Sequence, residues 1–189
     1  MESLAAYIQQ KISLNETDRV LLSKLFVSVE LPAKSIFIAE GKTEHYLYFL
    51  ADGIVRGYKN QNGKLVVEHL VEPPNFVTAL DSFFSESVST DCFETLTECV
   101  LYRISREGLG ALKAADEKWS QLIEAETNES LRCKMQRVND FQTLTAKERY
   151  LKFIRQTPQL ALQVSVENIA SYLGIEPQSL SRIRRQVAI

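Results

Sequence analysis

Ser165-Val-Glu-Asn-Ile-Ala-Ser-Tyr-Leu-Gly174-Ile-Glu-Pro177-Gln-Ser-Leu-Ser-Arg182-Ile-Arg-Arg185 is the stretch from which the chain is read. Val166, Ile169, Ala170 and Leu173 recur at i, i+3, i+4 and i+7, which is one apolar face of a helix. Ser165 suits its N-cap, and Gly174 suits the left-handed exit from it. Pro177 fits the first turn of a second helix, where its missing N–H costs nothing. Leu180, Ile183 and Val187 give that helix an inward stripe, and Gln178, Ser181, Arg182 and Arg185 fall on the opposite side. Two short helices joined by a glycine turn describe a helix-turn-helix. An outward row of Gln and Arg suits a major groove, because both side chains make bidentate contacts with base edges. The competing reading is an ordinary helical unit with a basic outer face.

Charge is divided along the chain. From Arg132 to Ile189 there are ten Lys/Arg against four Asp/Glu, which leaves twelve basic and twenty acidic residues ahead of them. A basic C-terminal third behind an acidic body is the layout of a modular nucleic-acid binder, with a solvated basic helix face as the bland alternative. A length of 189 residues holds one large core or two small ones, and 45% apolar with 24% charged residues is ordinary for a globular protein. No apolar run approaches transmembrane length, and Met1-Glu-Ser-Leu-Ala-Ala lacks a signal peptide's basic start, so a cytoplasmic protein without a membrane partner is expected. Cys92, Cys99 and Cys133 match no zinc or iron–sulfur spacing and are read as buried, reduced thiols. His45 and His69 form no ligand cluster, so neither a metal site nor a cupin-type metalloenzyme is expected.

Working back from the C-terminal stretch, Thr145-Ala-Lys-Glu148 is a capping box that opens a helix running to about Gln156 and ended by Pro158. Before it, a helix from about Glu117 to Phe141 carries Trp119, Leu122, Ile123, Leu131, Met135 and Val138. The last three fit d, a, d of a heptad, diluted toward the N-terminal half by Glu124 and Asn128, and a helix this long beside a small β-domain is expected to form a dimer seam, with a domain's packed edge as the alternative. Leu109 and Leu112 anchor a short helix. Further upstream the period becomes strand-like, in Ile36–Ile38, Tyr46–Leu50, Ile54–Tyr58, Leu65–Val71, Cys92–Leu96 and Val100–Ile104. Asn62-Gly63 between two such runs predicts a type I′ hairpin. Pro73-Pro74 breaks the sheet, and Leu80–Phe84 reads as a single helical turn. Helices are expected over 2–12 and 15–27. Short strands at even spacing predict an antiparallel barrel or jelly roll.

This order of elements resembles the Crp/Fnr family of bacterial transcription regulators over essentially the whole chain. The resemblance is carried by Glu40-Gly41, Tyr46-Leu-Tyr-Phe-Leu-Ala-Asp-Gly53, the Asn62-Gly63 hairpin, Glu148-Arg149, Ile169-Ala-Ser-Tyr-Leu-Gly174 and Ser181-Arg182-Ile183. The C-terminal run is similar to the Bacteroidetes-type branch. The resemblance implies an α+β protein: an antiparallel β-roll of the cyclic-nucleotide-binding type with flanking helices over 1–116, a long dimerisation helix over 117–144, and a helix-turn-helix unit over 145–189. It further implies a homodimer bound to double-stranded DNA, with Arg182 and Gln178 at base-contacting positions, Ser179 and Arg185 at phosphates, and Ser165 opening the helix that crosses the backbone. Glu167 departs from the pattern, since a carboxylate there repels phosphate unless it caps its own helix. Only Gln186-Val-Ala-Ile189 follows the recognition helix, so no C-terminal wing is expected.

The ligand position departs further. Cyclic-AMP binders of the family hold the ribose with a Gly-Glu pair and the phosphate with an Arg followed by a small hydroxyl residue. Here Ala79 stands at the Glu position and Ser89 at the Arg position. A buried phosphate without its guanidinium loses a charge-assisted bidentate partner, so cyclic AMP is not expected as the effector. Thr78, Ala79, Leu80, Ser89 and Thr90 remain candidate lining for an unknown neutral molecule, with ordinary turn chemistry as the alternative.

Overall fold

Alternation of apolar and polar residues from Val27 to Ser105 builds two four-stranded antiparallel sheets in a computed structural model that describes residues 1–187. The first holds β1 (Val27–Leu31), β8 (Cys99–Ser105), β3 (Tyr46–Asp52) and β6 (Asn75–Val77), in that order. The second holds β2 (Ile36–Ile38), β7 (Cys92–Thr95), β4 (Val55–Gln61) and β5 (Lys64–Val71). Their inner faces bury Ile38, Tyr48, Leu50, Val55, Phe93 and Leu101 in one cluster. Gln61 pairs with Lys64 across Asn62 (φ 52) and Gly63 (φ 88), so both turn residues carry the positive φ that a type I′ hairpin needs.

Helices α1 (Glu2–Gln9) and α2 (Glu16–Leu25) cover one side of the roll. Asn15 caps α2 reciprocally: its Oδ1 accepts from Asp18 N at 2.9 Å, and its own N–H donates to Asp18 Oδ2 at 2.8 Å. Leu4, Ile8 and Leu22 pack there with Phe49, Phe83 and Ile104, and with Leu109 and Trp119 from the helices that follow the roll. Those helices are α4 (Arg106–Ala115), after the short α3 (Leu80–Ser85) between β6 and β7, and α5 (Glu117–Thr143). At 27 residues, α5 spans about 40 Å. Its N-terminal half buries Trp119 and Leu122, whereas Leu131, Met135, Val138 and Phe141 in its C-terminal half are exposed.

The chain turns at Thr145, whose reciprocal capping box with Glu148 starts α6 (Ala146–Gln156), followed by α7 (Pro158–Gln163), α8 (Val166–Leu173) and α9 (Pro177–Val187). The apolar core does not divide at that turn. Ile54, Val67 and Leu70 of the roll join Phe153, Leu160, Ile169 and Leu180 in a single cluster.

Three elements differ from expectation. Helix α2 stops at Leu25, and Phe26 is already extended (φ −91, ψ 131), so Val27 opens β1 instead of closing a helix. Strand β6 is three residues long and is set by its pairing with β3, not by any alternation of its own. Pro158 both follows the end of α6 and occupies the first turn of α7. Cys92 and Cys99 are buried free thiols as expected, but Cys133 is exposed on α5, because the roll covers only one side of that helix. The expectation about a wing runs to Ala188 and Ile189, outside the described residues.

Candidate nucleic-acid interface and effector cavity

The α8–α9 pair is built by local rules that each act on a named atom. Ser165 Oγ accepts from Asn168 N at 3.3 Å and caps α8, whose inner face buries Ile169, Ala170 and Leu173. Glu167 sits in the first turn, where its own backbone N–H and the Ser165 hydroxyl hold its carboxyl below the usual range. It therefore acts on its own helix start. Gly174 exits α8 with φ +61, and a Cβ there would lie 2.7 Å from Phe141 Cε1. Backbone conformation and a close approach both exclude a side chain at this turn. Ile175 N donates back to Ala170 O at 2.9 Å and closes it.

Helix α9 buries Leu180 and half-buries Ile183, which leaves Gln178, Ser179, Arg182 and Arg185 exposed. Among the described residues, none of these four side chains has a hydrogen-bond or ion-pair partner within the protein, so their donors face solvent. Ser165 is exposed as well, at the start of α8.

The opposite side of α8 is fastened to the roll. Val67 N donates to Ser171 Oγ at 2.9 Å, and Ser171 Oγ donates to Leu65 O at 3.3 Å. Arg56 Nη1 donates to Asn168 Oδ1 at 2.8 Å while its Nε and Nη2 hold Glu94 Oε2 at 3.1 and 2.6 Å. From α5, Arg137 donates to the Glu68 carbonyl, and its guanidinium lies 4.6 Å from the Tyr172 ring centre and 5.3 Å from that of Phe141. Arg149 Nε donates to Leu173 O at 2.9 Å and its Nη1 to Leu144 O at 2.7 Å, which ties the end of α8 to the end of α5. The orientation of α9 is thus set by contacts from the roll and from the long helix together.

A cavity of about 360 Å³ lies between the roll and α5. Its wall includes Tyr7 from α1, His69 and Glu72 in and after β5, Phe76 from β6, and Trp119 from α5; Thr157, Leu160 and Tyr172 of the C-terminal helices reach it too. His69 comes close because Gly57 lies opposite it: a Cβ on Gly57 would meet Phe93 Cε1 at 2.6 Å and His69 Cδ2 at 3.0 Å. Of the five ligand-site residues expected from sequence, Thr78 and Leu80 line this cavity, and Ala79, Ser89 and Thr90 are not part of its wall. Thr78 Oγ1 donates to Tyr46 O at 2.9 Å. Ala79 is buried at the start of α3. The Ser89 hydroxyl bonds the backbone of Asp91 at 3.0 Å in both directions, and Thr90 is exposed. His69, Glu72 and Trp119 were not singled out for this cavity from sequence, since nothing local marks residues that converge only through the tertiary fold.

Residues 28–116 match the family model for the cyclic nucleotide-binding domain. No curated protein matches the chain. Among solved structures, the chain is similar to FixK2 from Bradyrhizobium japonicum, with a TM-score of 0.77 at 20% identity over 87% of this chain and 85% of that one. It is similar to the c-di-GMP responsive global regulator CLP from Xanthomonas campestris, with a TM-score of 0.69 at 16% identity over 91% and 90% of the two chains. A structure assigned as a transcriptional regulator of the Crp/Fnr family from Eubacterium rectale aligns with a TM-score of 0.67 at 14% identity, over 93% of this chain and 84% of that one. At these identities the likeness is one of fold: a cyclic-nucleotide-binding-type roll followed by a long helix and a C-terminal helical unit. No helix among the described residues is long and apolar enough to cross a membrane. No group of three or more His, Cys, Asp or Glu among them is placed to hold a metal ion.

Proposed function

We propose that this chain is a sequence-specific transcription regulator of the Crp/Fnr type that binds double-stranded DNA as a homodimer. The reading rests above all on one observation: Gln178, Ser179, Arg182 and Arg185 share an exposed face of α9 and have no side-chain partner among the described residues. In this account α8 and α9 are a helix-turn-helix. Helix α9 enters the major groove, Gln178 and Arg182 read base edges, Ser179 and Arg185 hold phosphates, and the Ser165 end of α8 meets the backbone. The units 1–116, 117–144 and 145–189 serve as sensor, dimer seam and DNA reader. The seam is supported by Leu131 (48% exposed), Met135 (73%) and Val138 (58%), an apolar row left largely open by the described residues of one subunit.

The protein acts in the cytoplasm and belongs, in this reading, to the Bacteroidetes-type branch. It is not an enzyme, and its effector is not cyclic AMP. The guanidinium packed on α3 is that of Arg106, and it is already engaged by Phe83 O and Glu44 O, each at 2.9 Å, and by Glu86 at 3.2 Å. That guanidinium is taken up by the protein's own acceptors, which supports an effector other than cyclic AMP.

The test is a mobility shift with genomic fragments over a salt series, followed by footprinting of the retained fragments. A two-fold symmetric footprint with half-sites one helical turn apart, weakening steeply with salt, is expected. Absence of any shift at low salt would instead make the chain an interaction module whose helix pair does not read DNA.

A further inference from the structure

Arg56 reaches α8 from a position fixed within the roll. Arg56 and Glu94 are direct cross-strand partners on β4 and β7, and Glu94 Oε2 accepts from both Nε and Nη2 of Arg56, at 3.1 and 2.6 Å. The Tyr58 ring supports the same guanidinium, with its centre 4.8 Å away. Both charged side chains are largely enclosed, Arg56 at 18% and Glu94 at 13% exposure, so the pair is a built feature of the sheet and not a mobile surface contact. The donor left over, Nη1, meets Asn168 Oδ1 at 2.8 Å.

Apolar packing of Ile54, Val67 and Leu70 against Leu160 and Ile169 holds the roll and the C-terminal helices together. It does little to fix their relative rotation, because hydrophobic contact has no direction. Hydrogen bonds have one. On the roll side of α8 they join Asn168 to Arg56, and Ser171 to Val67 and Leu65. From the other side Arg149 Nε holds Leu173 O, at the end of α8. Helix α8 is thus gripped from two directions, and α9 follows it across the constrained turn at Gly174. The grip leaves Gln178, Arg182 and Arg185 exposed, so it orients the helix pair without masking the α9 row.

A dimer that reads two half-sites meets a geometric demand. Each base pair added between the half-sites moves one of them by about 3.4 Å along the duplex and about 35° around it. A reader held in one orientation cannot follow that movement, whereas one free to swivel about Thr145 can. We propose that Arg56, acting through Asn168, is a positioning residue that sets the half-site spacing this protein accepts. The inference rests on the regulator reading and adds to it the residue pair behind one component of its specificity.

The experiment measures affinity for the footprinted operator, for versions with one base pair inserted or removed at its centre, and for a scrambled duplex. The proteins are full-length wild type, Arg56→Ala, Asn168→Ala, the double variant and Asn168→Asp. Wild type is expected to prefer the natural spacing by at least about tenfold, and each alanine variant by about threefold or less. The double variant is expected to match the single ones, because both substitutions break the same bond. Asn168→Asp keeps the acceptor oxygen and is expected to keep the wild-type ratio. General loss of stability weakens binding to every duplex alike and does not move a ratio between spacings. Asn168→Ala leaves the Arg56–Glu94 pair intact, so the test stands even if Arg56→Ala does not fold. The proposal is overturned by equal wild-type affinity for all spacings, by a wild-type ratio in Asn168→Ala, or by a ratio lost in Asn168→Asp. Tighter operator binding by Asn168→Ala would also overturn it, since the contact would then be inhibitory. Failure of wild type to bind any duplex would strike the regulator reading and this inference together; specific binding with a spacing ratio unmoved by Asn168→Ala would strike this inference alone.

Discussion

The Val67 backbone N–H donates to Ser171 Oγ over 2.9 Å, which joins the outermost strand of the second sheet to the middle of α8. Polar residues at Asn168 and Ser171 therefore do not face solvent like the α9 row; they are i, i+3 neighbours that grip the roll. These bonds, with Arg137 spanning the Glu68 carbonyl and the Tyr172 ring, connect the β5 side of the cavity to α8.

Ser171→Ala removes the acceptor of the Val67 N–H and the donor to Leu65 O. A loss of about 1 kcal/mol is expected for the docking of α8. Amide hydrogen exchange should show Val67 losing protection while Val55 and Leu101, deep in the roll, keep theirs. Unchanged exchange at Val67 would mean that the bond does not hold the two parts together.

Two glycines make an internal control for the turn. Gly174 has φ +61, and a Cβ added there would lie 2.7 Å from Phe141 Cε1, so Gly174→Ala is expected to cost about 1–3 kcal/mol. Gly110 lies in α4 with nothing within 4 Å of an added Cβ, so Gly110→Ala should stabilise by about 0.5–1 kcal/mol. Urea denaturation of both variants against wild type checks the pair. Effects of the same sign would contradict the assignment of the turn.

Much of this fold is legible because helix ends are encoded locally. Asn15, Thr145 and Ser165 cap within three residues of themselves, and Asn62-Gly63 carries its turn conformation in its own chemistry. What is not legible depends on partners distant in sequence. Val27 looks like the tail of an apolar helix until β8 pairs with it, and Asn75–Val77 is too short to show a period without β3. The exposed row of α9 can be seen from sequence because it is the remainder after the buried stripe is removed. The cavity cannot, since His69, Glu72 and Trp119 meet only once α5 has folded back across β5 and β6. Ser171 carried no local signal either, because a serine near an apolar helix face gives no hint of a strand docked against it.

His69 gives stability a definite pH dependence. Burial, aided by Lys134, Arg137 and Lys59, lowers its pKa from 6.5 to about 3. The unfolded chain therefore binds one more proton between those values. The stabilisation is complete above about pH 6.5 and falls as pH is lowered toward 3, with a slope approaching 1.4 kcal/mol per pH unit from this residue. Urea denaturation of wild type and His69→Phe at several pH values should show the gap between them shifting in favour of the variant as pH falls. A constant gap would mean that the imidazole is not held neutral.

Met135 is 73% exposed at the middle of the apolar row on α5. Met135→Asp places a charge in the proposed seam, where a facing copy of the same residue would repel it. Sedimentation should show a dimer for wild type and a dissociation constant raised at least about a hundredfold for the variant, with affinity for a symmetric operator lost in parallel. A wild-type monomer at micromolar concentration, or a variant that dimerises as before, would remove α5 as the seam.

Arg182 carries the central claim, because it is the exposed guanidinium on α9 assigned to a base edge, while Arg185 one turn later is assigned to phosphate. The direct measurement is the affinity of Arg182→Ala and Arg185→Ala for the footprinted operator and for a scrambled duplex of equal length, across a salt series. Arg182→Ala is expected to lose about 1–3 kcal/mol on the operator alone, whereas Arg185→Ala should weaken both duplexes alike and reduce the salt slope by about one. Equal losses on operator and scrambled DNA for Arg182→Ala would contradict the assignment of α9 as the element that reads sequence.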